Sequence, residues 1–178
     1  MEQLPYPPAP PVTRDDLPEL GPGSVASLWY RAAARIFDGL VLAVPSLIVV
    51  LSFINLDTAT KTGDPLAGLP YAARVGLVVG PIVYEFVFLA IWGATPGKML
   101  LGLRVVAYVG GAKPAPYQIG VRLLATNFAG LAGLGNLPSG VLDVLGFLQP
   151  MVYLTAVVHP LARGLHDLAA GTIVLRTR

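Results

Sequence analysis

Two long apolar runs dominate the first half of the chain. One extends from about Ser27 to Ile54, and the other from about Tyr71 to Trp92. Each is long enough to cross the hydrocarbon core of a bilayer as a helix, which takes about 20 residues. We therefore predict two membrane-spanning helices. The only acid in the first run is Asp38, and the only acid in the second is Glu85.

A third apolar stretch covers residues 123–158 and contains one charged residue, Asp143. Its middle is interrupted by residues that end or bend helices: Gly133, Gly135, Asn136, Pro138 and Gly140. This pattern predicts two shorter helices. They either cross the membrane one after the other or form a re-entrant hairpin.

The basic residues are distributed unevenly around these runs. Only Lys61 and Arg74 lie between the first two; the other Lys and Arg residues lie before or at the start of the first run, between Lys98 and Arg122, or after Val158. Basic residues flanking membrane spans collect on the cytoplasmic side. We therefore expect both termini in the cytoplasm, which requires an even number of crossings. The predicted fold is an all-α membrane protein with four short crossings, or two crossings plus a buried hairpin.

Two short segments alternate as strands do. The run LLGLRVVAYV is followed by Gly110 and Gly111, and GTIVLRTR lies at the C-terminus. We predict that the segments near 101–108 and 171–177 pair into a small sheet on the cytoplasmic side of the helices.

The charged residues of the first span share one helix face. Arg31, Arg35 and Asp38 are spaced at i, i+4 and i+7. A carboxylate within a bilayer costs about 2.5–3.5 kcal/mol on insertion scales, so it needs a partner or a task. Asp38 is interpreted as half of a structural ion pair with Arg31 or Arg35, or as a proton or cation site. Arg35 and Asp38 could also both reach neighbouring segments.

Glu85 lies deeper in the membrane than Asp38 in this topology. It is either a proton relay or an acid held by Tyr84, Asn127 or a cationic neighbour. Lys98 follows the second span and either lies at the lipid headgroups or pairs with an acid.

The stretch GATPGKM after the second span superficially resembles a phosphate-binding P-loop. The match fails because Trp92 occupies the first glycine position and Met99 replaces the Ser or Thr that holds magnesium. We therefore interpret Gly97 and its neighbours as a sharp exit from the membrane.

Residues 1–24 form a Pro-rich segment that is distinct from the domain predicted for residues 25–178. Its composition is typical of a disordered leader, because it has little apolar surface to bury. The alternative is a latch that docks on a larger membrane complex, since PxxP spacings suit a groove in a partner. The candidate partner-binding residues are Pro5, Pro7, Pro8, Pro10 and Pro11.

Composition excludes several function classes. Mean hydropathy is +0.68 and only 12% of residues are charged, which is typical of a membrane protein and not of a nucleic-acid-binding protein. The chain has no cysteine, and His159 and His166 do not have metal-ligand spacing. We therefore expect no enzyme activity, no cofactor and no metal site.

Three linked motifs resemble the RDD family of bacterial inner-membrane proteins, named for one arginine and two aspartates. The motifs are YRAAARIFDGL, GATPGKMLLGLRVV and RGLHDLAAGTIVLR, and the resemblance covers about residues 26–178. Arg31, Asp38 and Asp167 match the naming residues. The segment RLLATNFAGLAG is leaner in basic residues than is usual in the family. Supporting motif residues are Arg35, Gly97, Lys98, Gly102, Arg104 and His166.

The resemblance implies a multi-pass protein of the bacterial inner membrane, and cation/proton exchange has been proposed for some members. From the residues and the resemblance together, we expect a non-catalytic accessory or assembly subunit that docks through its tail. The alternative is a monovalent cation/proton exchanger that acts as a homo-oligomer. We also expect Asp38, Arg31, Arg35 and Asp167, with Lys98, to form one cluster near the cytoplasmic surface.

Overall fold

A computed structural model of the protein describes residues 17–62, 68–135 and 137–178. These residues are mostly helical, with one small sheet. In chain order the elements are α1 (Leu28–Phe53), α2 (Leu56–Thr62), α3 (Tyr71–Trp92), α4 (Pro96–Leu100), β1 (Leu103–Ala107), α5 (Pro116–Ala132), α6 (Ser139–Leu148), α7 (Met151–Val158), α8 (Leu165–Ala170) and β2 (Thr172–Arg176).

Three helical segments within the described residues are long and apolar enough to cross a membrane. They are Leu28–Phe53, Tyr71–Trp92 and Ser139–Val158, the last formed by α6 followed by α7. The first two confirm the spans predicted from the apolar runs. Most of their apolar side chains are exposed on the protein surface, as expected for helices that face lipid rather than a water-excluding core.

The helix α5 differs from the prediction at its start. We predicted that the third apolar stretch begins at residue 123, but α5 begins at Pro116 and contains Arg122. The charge does not end the helix because the Arg122 side chain is buried against other segments and is 3% exposed. The predicted break between two helices is present, since α5 ends at Ala132 and α6 begins at Ser139.

The two strands pair as predicted, and their pairing is antiparallel. Val105 lies opposite Val174 in the register, and Leu103 lies opposite Arg176. Because side chains alternate along a strand, Leu103, Val105 and Val174 pack on Ala26, Leu89 and Ile119 on one side. The other side carries a second apolar cluster of Leu17, Val106, Leu161, Ile173 and Leu175.

The segment before α1 lies along β2. Gly23 N–H donates to the carbonyl of Arg176 at 2.9 Å, Arg176 N–H donates to Ser24 at 2.9 Å, and Val25 bridges to Leu175. Leu17 is buried in the apolar cluster on the outer side of the sheet. The candidate docking residues Pro5, Pro7, Pro8, Pro10 and Pro11 lie outside the described residues.

One end of each of the helices α1, α3 and α5 lies at the sheet or at the turn before β2. Ala26 N–H, just before α1, donates to Val174 at 3.1 Å, and Val105 N–H donates to Gly93, just after α3, at 2.8 Å. Near the start of α5, the Gln118 amide donates to Gly171 at 3.2 Å. At the other end of α3, the Tyr71 hydroxyl donates to Leu134, beyond α5, at 3.4 Å. Helices α3 and α5 therefore run antiparallel over a similar length.

Candidate functional site

Asp38 lies buried where α1 meets the start of α4. Its carboxylate accepts hydrogen bonds from the Thr95 hydroxyl at 2.5 Å, the Gly97 backbone N–H at 2.8 Å and the Tyr84 hydroxyl at 3.0 Å. Thr95 and Gly97 are at the N-terminal end of α4. Asp38 thus caps α4 from another helix, and a carboxylate is favoured there because the first N–H groups of a helix lack internal partners.

The ion pair with Arg31 or Arg35 that the sequence favoured for Asp38 is not the contact found. The Asp38 carboxylate instead accepts hydrogen bonds from two hydroxyls and a backbone amide. The physical reason is that Arg35 and Asp38 both point to neighbouring segments, which was the second alternative. Three directed hydrogen bonds compensate the buried carboxylate there.

Gly97 is required by the close approach of α1 to α4. A Cβ atom at Gly97 would lie 3.0 Å from the Asp38 carboxyl carbon and closer still to the carbonyl oxygen of Ala34. We expect Gly97→Ala to destabilise the protein by about 1–3 kcal/mol, as overpacking in a tight core does. Gly120→Ala in α5 is the matched control because open space surrounds that position. Thermal unfolding in detergent measures both, and equal midpoints for the two variants would refute the tight packing.

Glu85 lies on α3 between two cations. Its carboxylate is 2.7 Å from Arg35 Nη1 and 3.3 Å from Lys98 Nζ. This agrees with the alternative in which Glu85 is held by a cationic neighbour, and Lys98 is the cation that pairs with an acid rather than with the headgroups. Burial lowers the pKa of Lys98 to about 8, although Glu85 acts to raise it. Lys98 Nζ also lies 3.4 Å from Thr95 Oγ1, which links Glu85 to Asp38.

Asp167 forms a second charged centre on α8. It pairs with Arg122 of α5, and its other oxygen lies 3.5 Å from Arg31 Nη1. The Thr172 hydroxyl also donates to it at 3.1 Å. Asp167 is 1% exposed, so this single carboxylate joins α1, α5, α8 and β2 in the interior.

Most of the hydrogen bonds that the Arg31 guanidinium donates go to backbone carbonyls. Its guanidinium donates to Ala162 at 2.5 Å, to Ala26 at 3.1 Å and to Val174 at 3.2 Å. Ala162 has a positive φ of 49°, a conformation that a residue with a Cβ rarely adopts. Arg31 therefore ties the start of α1 to β2 and to a strained turn before α8.

The supporting motif residues divide between backbone and packing roles. Gly102 has φ 63° and the side chain of Arg178 lies against it, so the turn into β1 favours glycine. Arg104 lies on β1 opposite Leu175. His166 packs on the Tyr153 ring, and burial, with the charges of Arg122 and Arg35, lowers its pKa to about 2. The imidazole is therefore neutral.

A family model described as the RDD family matches residues 25–171. The chain belongs to the RDD family. Comparisons with curated proteins and with solved structures gave no match. The matched range contains both charged centres, and it includes all three residues that we assigned to the naming motif.

The cluster that we expected in this RDD protein is present in part: Arg31, Arg35, Lys98 and Asp167 line one cavity, and Asp38 is not among its lining residues. Arg31 and Asp167 lie together, whereas Asp38 belongs to the group formed by Thr95, Gly97 and Tyr84. Glu85, Arg35 and Lys98 form a further group, which the Lys98–Thr95 contact joins to the group of Asp38. The reason is that Arg31 and Asp38 lie seven residues apart on α1, about two helical turns, so they meet different segments of the fold.

Sequence reasoning missed two important members of the RDD site. Arg122 is the main partner of Asp167, yet we treated its segment only as poor in basic residues. The sequence signal for Arg122 was its position beside Leu123 and three residues after Ile119. Both of these apolar residues are buried, so an arginine at this spacing lies on the same inward side of the helix. Arg163 is also buried, donates to Thr172 at 2.9 Å and lies 4.0 Å above the Tyr108 ring.

Proposed function

We propose that this RDD-family protein is a non-catalytic accessory or assembly subunit of a larger membrane complex. The observation that carries the proposal is that Asp38, Glu85 and Asp167 are each engaged by donors of the fold itself. A carboxylate held by two or three fixed donors stabilises helix packing and is a poor carrier for an exchanging ion. The charged motif therefore acts as what we call an internal lock, a set of buried ion pairs and hydrogen bonds that holds the helices in their packed positions.

We further propose four crossings, with the sheet and both termini on the cytoplasmic side of a bacterial inner membrane. Supporting this, α5 runs beside α3 over a similar length, and its 17 residues are at the short end of the range for a membrane helix. With α1, α3 and the segment formed by α6 and α7, it makes an even number of passes. Lys98, Arg104, Arg163 and Arg176 then lie on the side expected for basic residues.

A long apolar surface on α1 is available to a partner or to lipid. Every third or fourth residue along one side of the helix is more than half exposed, which is the spacing of a single helix face. The residues are Ile36, Leu40, Val44, Leu47 and Leu51. A subunit of a larger membrane complex needs such a surface beside its own packed core.

The tail supplies the test of the subunit proposal. Because Leu17 and residues 23–26 pack on the sheet, the deletion should stop at residue 16. We expect the 17–178 protein to remain folded and to lose its stoichiometric partners during purification from its native membrane in mild detergent. A full-length variant with Pro5, Pro7, Pro8, Pro10 and Pro11 replaced by Ala should behave in the same way, since length is unchanged.

The comparison with wild-type protein decides the outcome. Retention of every partner by both tail variants would exclude the tail as a latch. Wild-type protein that purifies only as a homo-oligomer would argue against the subunit role altogether.

A monovalent cation/proton exchanger that acts as a homo-oligomer is the second candidate. It is favoured by the chain of contacts from Asp38 through Thr95 and Lys98 to Glu85, along which a proton could move. Purified protein in liposomes should then acidify or alkalinise the lumen when a sodium or potassium gradient is imposed. Transport that survives in the Asp38→Asn, Glu85→Gln double variant would exclude both acids as carriers.

A further inference from the structure

A cavity of about 540 Å³ opens between α1, α7 and α8 at the sheet end of the helices. Four cationic side chains line it: Arg31, Arg35, Lys98 and Arg122. Asp167 is the one carboxylate among its lining residues. We call this space the basic cavity.

The charges around the basic cavity do not cancel. The acids that contact the four cations within the described residues are Asp167 and Glu85. Even with Asp38 counted, three carboxylates face four cations, because the His166 imidazole is neutral. The side chains of Lys98 and Arg122 are 3% exposed and that of Arg31 is 13% exposed, and a buried cation in excess is costly unless an anion accompanies it. The basic cavity therefore has the charge of a site for a monoanion.

Two buried guanidinium nitrogens of the residues that line the basic cavity also lack a hydrogen-bond partner. Arg122 Nε and Arg35 Nη2 have no hydrogen-bond acceptor among the described residues. Arg122 is 3% exposed, and leaving a buried donor unsatisfied is unfavourable. Guanidinium groups suit the tetrahedral oxygens of phosphate particularly well, since they can donate two parallel hydrogen bonds.

The walls of the basic cavity indicate where the anion comes from. Leu28 and Ala32 of α1 and Leu154 and Val157 of α7 line it, and both helices belong to segments that can cross a membrane. Leu154 and Val157 are 52% and 65% exposed, so the rim is apolar and lies on the surface of a segment that can cross a membrane. A free inorganic ion has no apolar surface to pack on such a rim, whereas the acyl chain of a lipid does.

We propose that the basic cavity binds the phosphodiester headgroup of an acidic phospholipid, with its acyl chain leaving between α1 and α7. The headgroup oxygens accept hydrogen bonds from Arg35 and Arg122, and the chain packs along the apolar rim. This inference is independent of the accessory role, because a bound lipid serves a subunit and an exchanger equally.

The test compares three probes on the purified full-length protein in a neutral detergent. Dioleoylphosphatidylglycerol carries one negative charge, dioleoylphosphatidylcholine has the same chains and no net charge, and inorganic phosphate has no chain. We expect native mass spectrometry to detect one tightly bound phosphatidylglycerol, at least about tenfold tighter than phosphatidylcholine, and a higher unfolding temperature with phosphatidylglycerol only. Equal affinity for the two lipids would overturn the proposal. An equal effect of inorganic phosphate would overturn the lipid assignment.

Matched variants locate the site without touching its charges. Ala32→Trp fills the mouth of the basic cavity, while Ala33→Trp places the same ring on an exposed position of α1 outside it. We expect Ala32→Trp to weaken phosphatidylglycerol binding about tenfold or more and Ala33→Trp to leave it unchanged. If Ala32→Trp does not fold, Val157→Trp and its control Val158→Trp repeat the comparison on α7. Unchanged binding in the folded rim variant would contradict the proposal.

Discussion

Replacing Asp167 by alanine is expected to lower the free energy of unfolding by about 3–5 kcal/mol, the usual cost of removing one partner from a buried ion pair. The variant leaves Arg122, which is 3% exposed, without its carboxylate, and it removes the contact with Arg31. It also removes the acceptor of the Thr172 hydroxyl. Four segments of the fold are loosened by one substitution, which is why we expect this to be among the largest single-site effects.

Unfolding of the purified protein in mixed micelles measures this effect. Asp57→Ala is the control, because Asp57 is an exposed acid on α2, outside the segments that can cross a membrane. We expect Asp57→Ala to change stability by less than about 0.5 kcal/mol, as surface substitutions usually do. Asp167→Asn should lie between the two, since it keeps an acceptor oxygen and loses the charge. Equal stability of the Asp167→Ala and Asp57→Ala variants would show that the Asp167 contacts contribute nothing.

Replacing Glu85 by glutamine is expected to have a second large effect, about 3 kcal/mol or more. The substitution removes the negative charge that compensates Arg35 and Lys98, at 2.7 and 3.3 Å. Lys98 is buried and cannot reach water without moving α4. Lys98 joins α4 to α3, and Asp38 joins α4 to α1. A displaced Lys98 therefore disturbs all three helices, and we expect the junction of α1, α3 and α4 to open first.

A second substitution separates a lost charge balance from a lost hydrogen bond. Adding Lys98→Met to Glu85→Gln should recover part of the stability, since the uncompensated ammonium is then absent. Asp57→Asn on α2 is the control, because that acid is exposed. With Trp29 of α1 replaced by Phe in every variant, Trp92 at the end of α3 is the remaining tryptophan, and its fluorescence reports unfolding there. A double variant less stable than Glu85→Gln alone would contradict the charge-balance explanation.

The long helices and the sheet could be predicted because their patterns are local. The apolar runs of α1 and α3 contain about 20 residues each, and alternation marks β1 and β2. The start of α5 could not be predicted in this way. Hydropathy treats Arg122 as an end, whereas its buried partner Asp167 lies 45 residues further along the chain.

The partners of the charged residues were the least predictable part of the site. Arg35 lies three residues from Asp38, close enough for either a pair within α1 or contacts with other helices. The outcome depends on where α3 and α4 cross α1, which the sequence of α1 does not encode. The donors to Asp38 were missed for a further reason. A threonine hydroxyl and a glycine amide carry no charge pattern that marks them as partners of an acid.

The central claim is that the charged motif of this RDD protein is an internal lock. The double-mutant cycle of Asp167→Ala and Arg122→Met tests it most directly, because it isolates the interaction between the two residues. The account predicts that the double variant is more stable than the sum of the two single losses implies, by about 1–3 kcal/mol. Strictly additive losses would contradict the account, since they would mean that Asp167 and Arg122 do not stabilise one another in the folded protein.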